Sequence, residues 1–391
     1  MKLAKFFAVF ILILNLKALV LAGEPQIVGR AAAVINVKSG KFVYLKNPDQ
    51  KMYPASTTKI LTTLIALEKG NLTDMVYVDK EASYVEGSAI WLNPGEKITL
   101  EDLLYSIMLN SANDSAIAVA KHIAGNVSSF VREMNDKARE LGAKNTHFVN
   151  PNGLPNDDHY TTARDLALIA RAAMQNPKFR EIVATKTKVI NRDPKYLRLL
   201  INHNKLLWRY EGANGIKTGY TVKARQCLVA SANKNGEEFI AVILGSEGSN
   251  VYDDAQKLLD YAFANYKTVK VISKGQQIKK APVTDGRETV SLEAAEDLYD
   301  TVYKDEKPEY EYKTSLQELK APVRAGETLG TLLVCRKGIK VGEVNLIAAN
   351  GVEPSLAAKG KRIFYPGLLV LAGLFLTFQF LKKYGRIKPK Y

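Results

Sequence analysis

Residues 54–62 read Pro-Ala-Ser-Thr-Thr-Lys-Ile-Leu-Thr (PASTTKILT). Helical character runs from Ser56 to Lys69, with Pro54 ahead of it and Leu61, Leu64, Ile65 and Leu67 spaced to line one inner face. Residues three apart share a helix face, so Ser56 and Lys59 are within hydrogen-bond reach. A serine alkoxide needs a nearby base, and a lysine serves if something biases it against its charge, such as burial or a second nearby cation. Alone, this pair reads equally well as a helix start with a solvated lysine.

Two further clusters lie downstream. Ser111-Ala112-Asn113 falls at a break within YSIMLNSANDSAIAVA (105–120). A hydroxyl and an amide there can relay a proton and hold a substrate amide, or simply cap a helix. Lys217-Thr218-Gly219 stands just before a strand-rich stretch. The lysine and threonine suit an anionic group, and the glycine allows close backbone approach; the alternative is an ordinary strand start. The three in this order form a signature known from active-site serine acyl enzymes, and three chance matches are improbable.

On these residues the sequence resembles the low-molecular-mass penicillin-binding proteins, serine-type D-alanyl-D-alanine carboxypeptidases. The surroundings FVNPNGL, HYTTARDLA, GIKTGYT and CLVASA resemble that family too. The resemblance covers roughly Arg30 to Tyr266 and extends more loosely beyond. It implies an α+β, β-lactamase/transpeptidase-like catalytic domain, an antiparallel sheet with flanking helices and a helical subdomain. It also implies roles. Ser56 is the nucleophile and Lys59 its base, with Ser111 a proton relay. Asn113 contacts the peptide, and Lys217, Thr218 and Gly219 receive the terminal carboxylate. The backbone N–H groups of Ser56 and Tyr220 form the oxyanion hole, and Lys217 is the second cation depressing Lys59. No cofactor or metal is implied. Peptidoglycan stem peptides are the substrates and β-lactams the inhibitors. One departure stands out: Ala224-Arg225 occurs where the family commonly has Ala-Gly, which bears on the local turn. A serine β-lactamase and a non-catalytic wall-binding scaffold are the competing readings.

The remaining chain fits this frame. Residues 1–22 have the charged, apolar and small-residue parts of a secretory signal, with cleavage expected after Ala22. The catalytic domain is expected over 23–267. Arg30 to Tyr44 reads as two strands around Ser39-Gly40, and QCLVASA and EEFIAVILG as two more. Helical runs are expected over Leu100–Gly125, Val127–Leu141, Thr161–Gln175 and about Tyr252–Tyr266. A small β-rich module follows over 268–360, built on VKVIS, ETVSLEAA, EYEYKTSL, TLGTLLVCR and KVGEVNLIAA. Ile363 to Leu381 contains no charged residue and, at 1.5 Å per residue, covers roughly 28 Å, so it reads as a transmembrane anchor. The basic tail 382–391 then faces the cytoplasm and the body faces outward.

The net charge of +15 is spread along the chain without a nucleic-acid motif, which favours an anionic envelope or membrane surface. Cys227 and Cys335 read as isolated, mostly buried thiols. His122, His147, His159 and His203 lack metal-ligand spacing, and His159 reads as structural. Trp91 and Trp208 read as core or groove wall, and Asp157 and Asp158 as a solvated pair.

Overall fold

The computed structural model describes residues 23–384, with the side chains of 361–368 and 384 excluded. The expected signal sequence and most of the basic tail lie outside the described residues. The chain divides into two compact units, Met1–Tyr266 and Lys267–Tyr391.

In the first unit, strands from both ends of the sequence meet. A five-stranded antiparallel sheet runs in the order Phe42–Lys46, Ala31–Asn36, Glu237–Ser246, Arg225–Lys234, Ala213–Thr221. Ala33 pairs with Val242, and Val242 with Val229. The central strands are apolar on both faces because both are covered. Ala32, Val34, Leu228 and Ile243 pack on Val251, Ala255 and Leu258 of the helix Asn250–Asn265. Ala33, Ile35, Val229 and Val242 belong to the larger core shared with Ile60, Leu64, Leu166 and Ile169 of the helices Lys59–Lys69 and Ala163–Ala173.

The helical insertion contains Leu100–Leu109, Asn113–Ala124, Val127–Glu140 and Ala163–Ala173. Thr162 caps the last of these, its hydroxyl accepting from the Asp165 N–H at 3.1 Å. The insertion also has a helix the pattern does not announce, Pro177–Ala184, capped by Asn176.

The second unit pairs Tyr266–Ile272 with Leu298–Tyr303. Its five-stranded sheet runs in the order Gln277–Ala281, Val290–Ala294, Ile339–Ala348, Thr328–Arg336, Glu311–Leu316. Val290, Leu292, Leu332, Val334, Val344 and Leu346 form its core. Cys227 is buried in the first unit and Cys335 is half-buried in the second; both are free thiols. A helix, Leu356–Tyr384, forms over the stretch expected to span a membrane. Among the described residues, however, no helix is long and apolar enough to cross a membrane. In this helix the Thr377 hydroxyl turns back onto the Gly373 and Leu374 carbonyls.

Candidate active site

Ser56 sits on a tighter turn than an α-helix. Ala55–Thr58 is a 3-10 turn, and the α-helix starts only at Lys59. Ala55 has φ 49°, the left-handed region that side chains disfavour. Three contacts hold it. The Thr57 hydroxyl donates to the Pro54 carbonyl at 2.6 Å and the Thr58 hydroxyl to the Ala55 carbonyl at 2.9 Å. The imidazole of His159 closes the set, its Nε2 lying 2.9 Å from the Thr58 hydroxyl. The Val149 N–H donates to Nδ1 at 3.1 Å, so the proton sits on Nε2 and points at Thr58. Burial pushes His159 down to about 3, with lesser repulsion from His147 and Lys59, so the ring is neutral. His159 is a positioning residue here.

The loop 150–154 presses on the same turn. At Gly153, φ is 86° and an added Cβ would stand 1.9 Å from the Ala55 carbonyl oxygen, so only glycine fits. The loop places the Asn152 carbonyl against Lys59.

Lys59 is fully buried. Its Nζ lies 2.5 Å from the Asn152 carbonyl, 2.7 Å from Asn113 Oδ1 and 3.1 Å from Ser56 Oγ. Its pKa is held well below the usual lysine value, first by burial and then by Lys217, with Asp114 opposing. A neutral amine has two N–H donors and one lone pair. In that form, with the two carbonyl oxygens taking the N–H groups, the lone pair would face the Ser56 hydroxyl.

Ser111 lies in the break between Leu100–Leu109 and Asn113–Ala124, with φ 61°. Among the described residues its hydroxyl has no hydrogen-bond partner. The Asn113 carboxamide braces the lysine, Oδ1 accepting from Lys59 and one Nδ2 hydrogen going to the Glu86 carbonyl at 2.6 Å, with a second N–H to spare. Beside it, buried Asp114 accepts from the N–H groups of Ile90, Leu92 and Ser115.

The third cluster lies within a strand rather than ahead of one. Ala213–Thr221 is the edge strand of the sheet, and its open side meets the Ser56 turn. A Cβ on Gly219 would stand 2.9 Å from the Ser56 nitrogen and 3.2 Å from that of Thr57, so the strand approaches as closely as backbone allows. Lys217 is buried, donates to the Thr218 carbonyl at 3.0 Å, and is pushed down to about 7 by burial. The side chain of Tyr220 is exposed.

At the departure from the family pattern, Arg225 adopts φ 58°. Glycine takes this conformation freely, whereas a residue with a Cβ loses roughly 1 kcal/mol. The guanidinium donates to the Glu247 carboxylate. Asp157, expected to be merely solvated, accepts from the Tyr53 hydroxyl at 2.9 Å and from Lys223 at 2.7 Å, an exposed clasp over the strand's far turn. Among the described residues no group of His, Cys, Asp and Glu side chains could hold a metal ion.

The chain matches the family profile described as D-alanyl-D-alanine carboxypeptidase over residues 19–248. It is 35% identical over 338 residues to D-alanyl-D-alanine carboxypeptidase DacF of Bacillus subtilis, covering 83% of this chain and 86% of that one. The chain belongs to the D-alanyl-D-alanine carboxypeptidase family. Members of this family are serine peptidases of peptidoglycan metabolism, and this chain is one of them. Residues 266–354 match the C-terminal domain of penicillin-binding protein 5. The crystal structure of penicillin-binding protein 5 from Haemophilus influenzae superposes with a TM-score of 0.72 at 31% identity, over 84% of this chain and 98% of that one. The Streptomyces DD-transpeptidase aligns over 62% of this carboxypeptidase and 99% of its own length, at 35% identity and a TM-score of 0.59.

Proposed function

We propose that this carboxypeptidase removes the terminal D-alanine from peptidoglycan stem pentapeptides through an acyl ester on Ser56. The observation that carries the reading is the buried Lys59 amine, held among Asn113, Asn152 and Ser56 with its pKa well below the usual lysine value, so that its free form can turn a lone pair to Ser56. Lys59 takes the Ser56 proton as Oγ bonds to the carbonyl carbon of the penultimate D-alanine. Negative charge on the carbonyl oxygen is received by the backbone N–H groups of Ser56 and Tyr220, each such donor contributing about 3 kcal/mol. Ser111, its hydroxyl unengaged, passes its proton to the leaving nitrogen as the C–N bond breaks and D-alanine departs, and is itself reprotonated by the Lys59 ammonium, which leaves Lys59 a neutral amine for the next step. Water then attacks the ester, giving up a proton to Lys59 as the ester C–O bond breaks and Ser56 Oγ regains its hydrogen. Lys217, Thr218 and the close approach at Gly219 receive the terminal carboxylate, and a carboxylate beside Lys217 raises that lysine's pKa again.

The chain acts at the extracytoplasmic face of the cell membrane, exported by residues 1–22 and held there by the uncharged stretch 363–381 with its basic flanks. Protease access to the body of the protein in intact and in permeabilised cells tests this arrangement.

The experiment that tests the chemistry is mass spectrometry of the full chain in detergent after benzylpenicillin. An adduct on Ser56 that persists for minutes, together with D-alanine release from a diacyl-D-alanyl-D-alanine peptide, supports the carboxypeptidase. Rapid penicillin turnover would make it a β-lactamase, and no adduct and no release would leave a wall-binding scaffold. The Streptomyces relative is named a transpeptidase, so an added amine acceptor measures how the acyl ester partitions between water and amine.

A further inference from the structure

Between Ser111 and Lys217 runs a short segment, residues 201–204, that is tied to the surroundings of both. On one side the Ile201 N–H donates to Asn110 Oδ1 at 3.0 Å and the His203 N–H to the Leu109 carbonyl at 3.2 Å, next to Ser111. On the other side Asn204 Nδ2 donates to the Gly215 carbonyl at 2.8 Å, two residues before Lys217 on the edge strand. The Tyr252 hydroxyl adds a third tie, donating to the His203 carbonyl at 3.1 Å. Asn202 and Asn204 are buried, so of these three side chains the exposed imidazole of His203 is the one directed out of the core.

The backbone of His203 is fixed while its ring is not engaged. Among the described residues neither ring nitrogen has a hydrogen-bond partner. The protein packed around the ring, and then the charge of Lys217, hold its pKa below the usual histidine value. Ring and amine therefore look onto the same part of the groove. A carboxylate offers about four lone-pair sites, more than Lys217 and Thr218 occupy. An imidazole carries at least one N–H in either charge state, and a donor already held in place binds such an anion without reorganising the protein.

We propose that His203 is a further substrate-binding residue, its ring N–H donating to one oxygen of the terminal carboxylate while Lys217 and Thr218 hold the other. This rests on the reading of the chain as an enzyme of D-alanyl-D-alanine peptides. The hydrogen bond is charge-assisted, and an anion between the ring and the amine offsets the repulsion that Lys217 exerts on a protonated ring. Because the carboxylate keeps its charge through the reaction, the contact acts on binding rather than on the chemical step.

The test uses the full chain in detergent with benzylpenicillin and its methyl ester, in which the carboxylate charge is masked. The second-order rate of Ser56 acylation is followed by mass spectrometry, and the acid-to-ester ratio cancels any loss of folded enzyme. His203→Leu is expected to lower that ratio about tenfold, the scale of one lost hydrogen bond to a charged group. His203→Gln, which keeps an N–H donor, recovers most of it. On a diacyl-D-alanyl-D-alanine peptide, His203→Leu raises KM by a similar factor with kcat little changed. A ratio or a KM unchanged in His203→Leu overturns the assignment. An unaltered enzyme that forms no Ser56 adduct with benzylpenicillin and releases no D-alanine would instead overturn the carboxypeptidase reading on which it rests.

Discussion

Both units bury answered charges, Arg192 with Glu96 in the catalytic unit and Arg336 with Asp300 in the β-rich unit. Among the described residues, however, the catalytic unit also buries two lysines without an ion-pair partner. In the β-rich unit, Asp300 is nearly inaccessible but fully answered: Arg336 donates to it at 2.7 Å, Tyr310 approaches at 3.4 Å, and the same guanidinium also reaches Glu306. In the catalytic unit, Lys59 and Lys217 are as deeply buried, yet neither has an ion-pair partner among the described residues. Their main polar contacts are to carbonyl, amide and hydroxyl oxygens. The first arrangement leaves a charge satisfied and inert. The second leaves two amines short of a counter-charge and lowers the pKa of both, as the proposed base and carboxylate site require.

Breaking that contrast at its most consequential point means replacing Lys59. Lys59→Met is expected to lower the rate of penicillin acylation at Ser56 by about 10³- to 10⁴-fold, the range for loss of a general base. A mass-spectrometric time course measures it. Next is Lys217→Met, whose effect on stability depends on pH. The unfolded lysine titrates near 10.5 and the buried one near 7, so between those values the unfolded chain binds more protons and stability rises with pH. The folding penalty is full below pH 7, where the gap corresponds to about 5 kcal/mol, and is relieved towards pH 10.5. The variant should therefore be more stable than the parent at pH 6, with the advantage shrinking by pH 10, as denaturant titrations would reveal. The parent's kcat/KM for carboxylate-terminated peptides should fall above about pH 7.

On the other side of the comparison, Arg336→Met strands a buried carboxylate and is expected to cost about 3–5 kcal/mol in the β-rich unit. Calorimetry should show it in that unit's transition, with D-alanine release per folded molecule unchanged. The smallest effect belongs to His159→Phe, which removes two buried hydrogen bonds for about 1–3 kcal/mol. Because His159 stays neutral down to about pH 3, its protonation in the unfolded chain lowers stability as the pH falls from about 6.5 towards 3. The variant should lack that slope.

What was legible in the sequence is what depends on side-chain type and local period. Ser56 with Lys59, Ser111 and Lys217 stand together because each carries the group the chemistry needs. The supports were hidden because they act through backbone or through distant contact. The Asn152 carbonyl has no side-chain signature, and Asp114 looks like any acid in a helix's first turn. The engagement of Asn113 with Glu86 spans 27 residues of sequence. The strand Ala213–Thr221 has no pattern to announce it because ANGIKTGYT lacks a strand's apolar alternation, one of its edges being given over to the site. Gln277–Ala281 and Leu298–Tyr303 escaped notice because lysines and an aspartate interrupt their apolar residues. The turn at Ser56 read as α-helix because i,i+3 spacing is common to both helix types.

The gap between Gly219 and Ser56 admits no methyl group. A side chain at position 219 would push the strand off the Ser56 turn and carry Lys217 away from Lys59 with it. The two halves of the site are kept in register by the absence of a side chain, so a substitution of Gly219 would act on the electrostatics of Lys59 as well as on the strand.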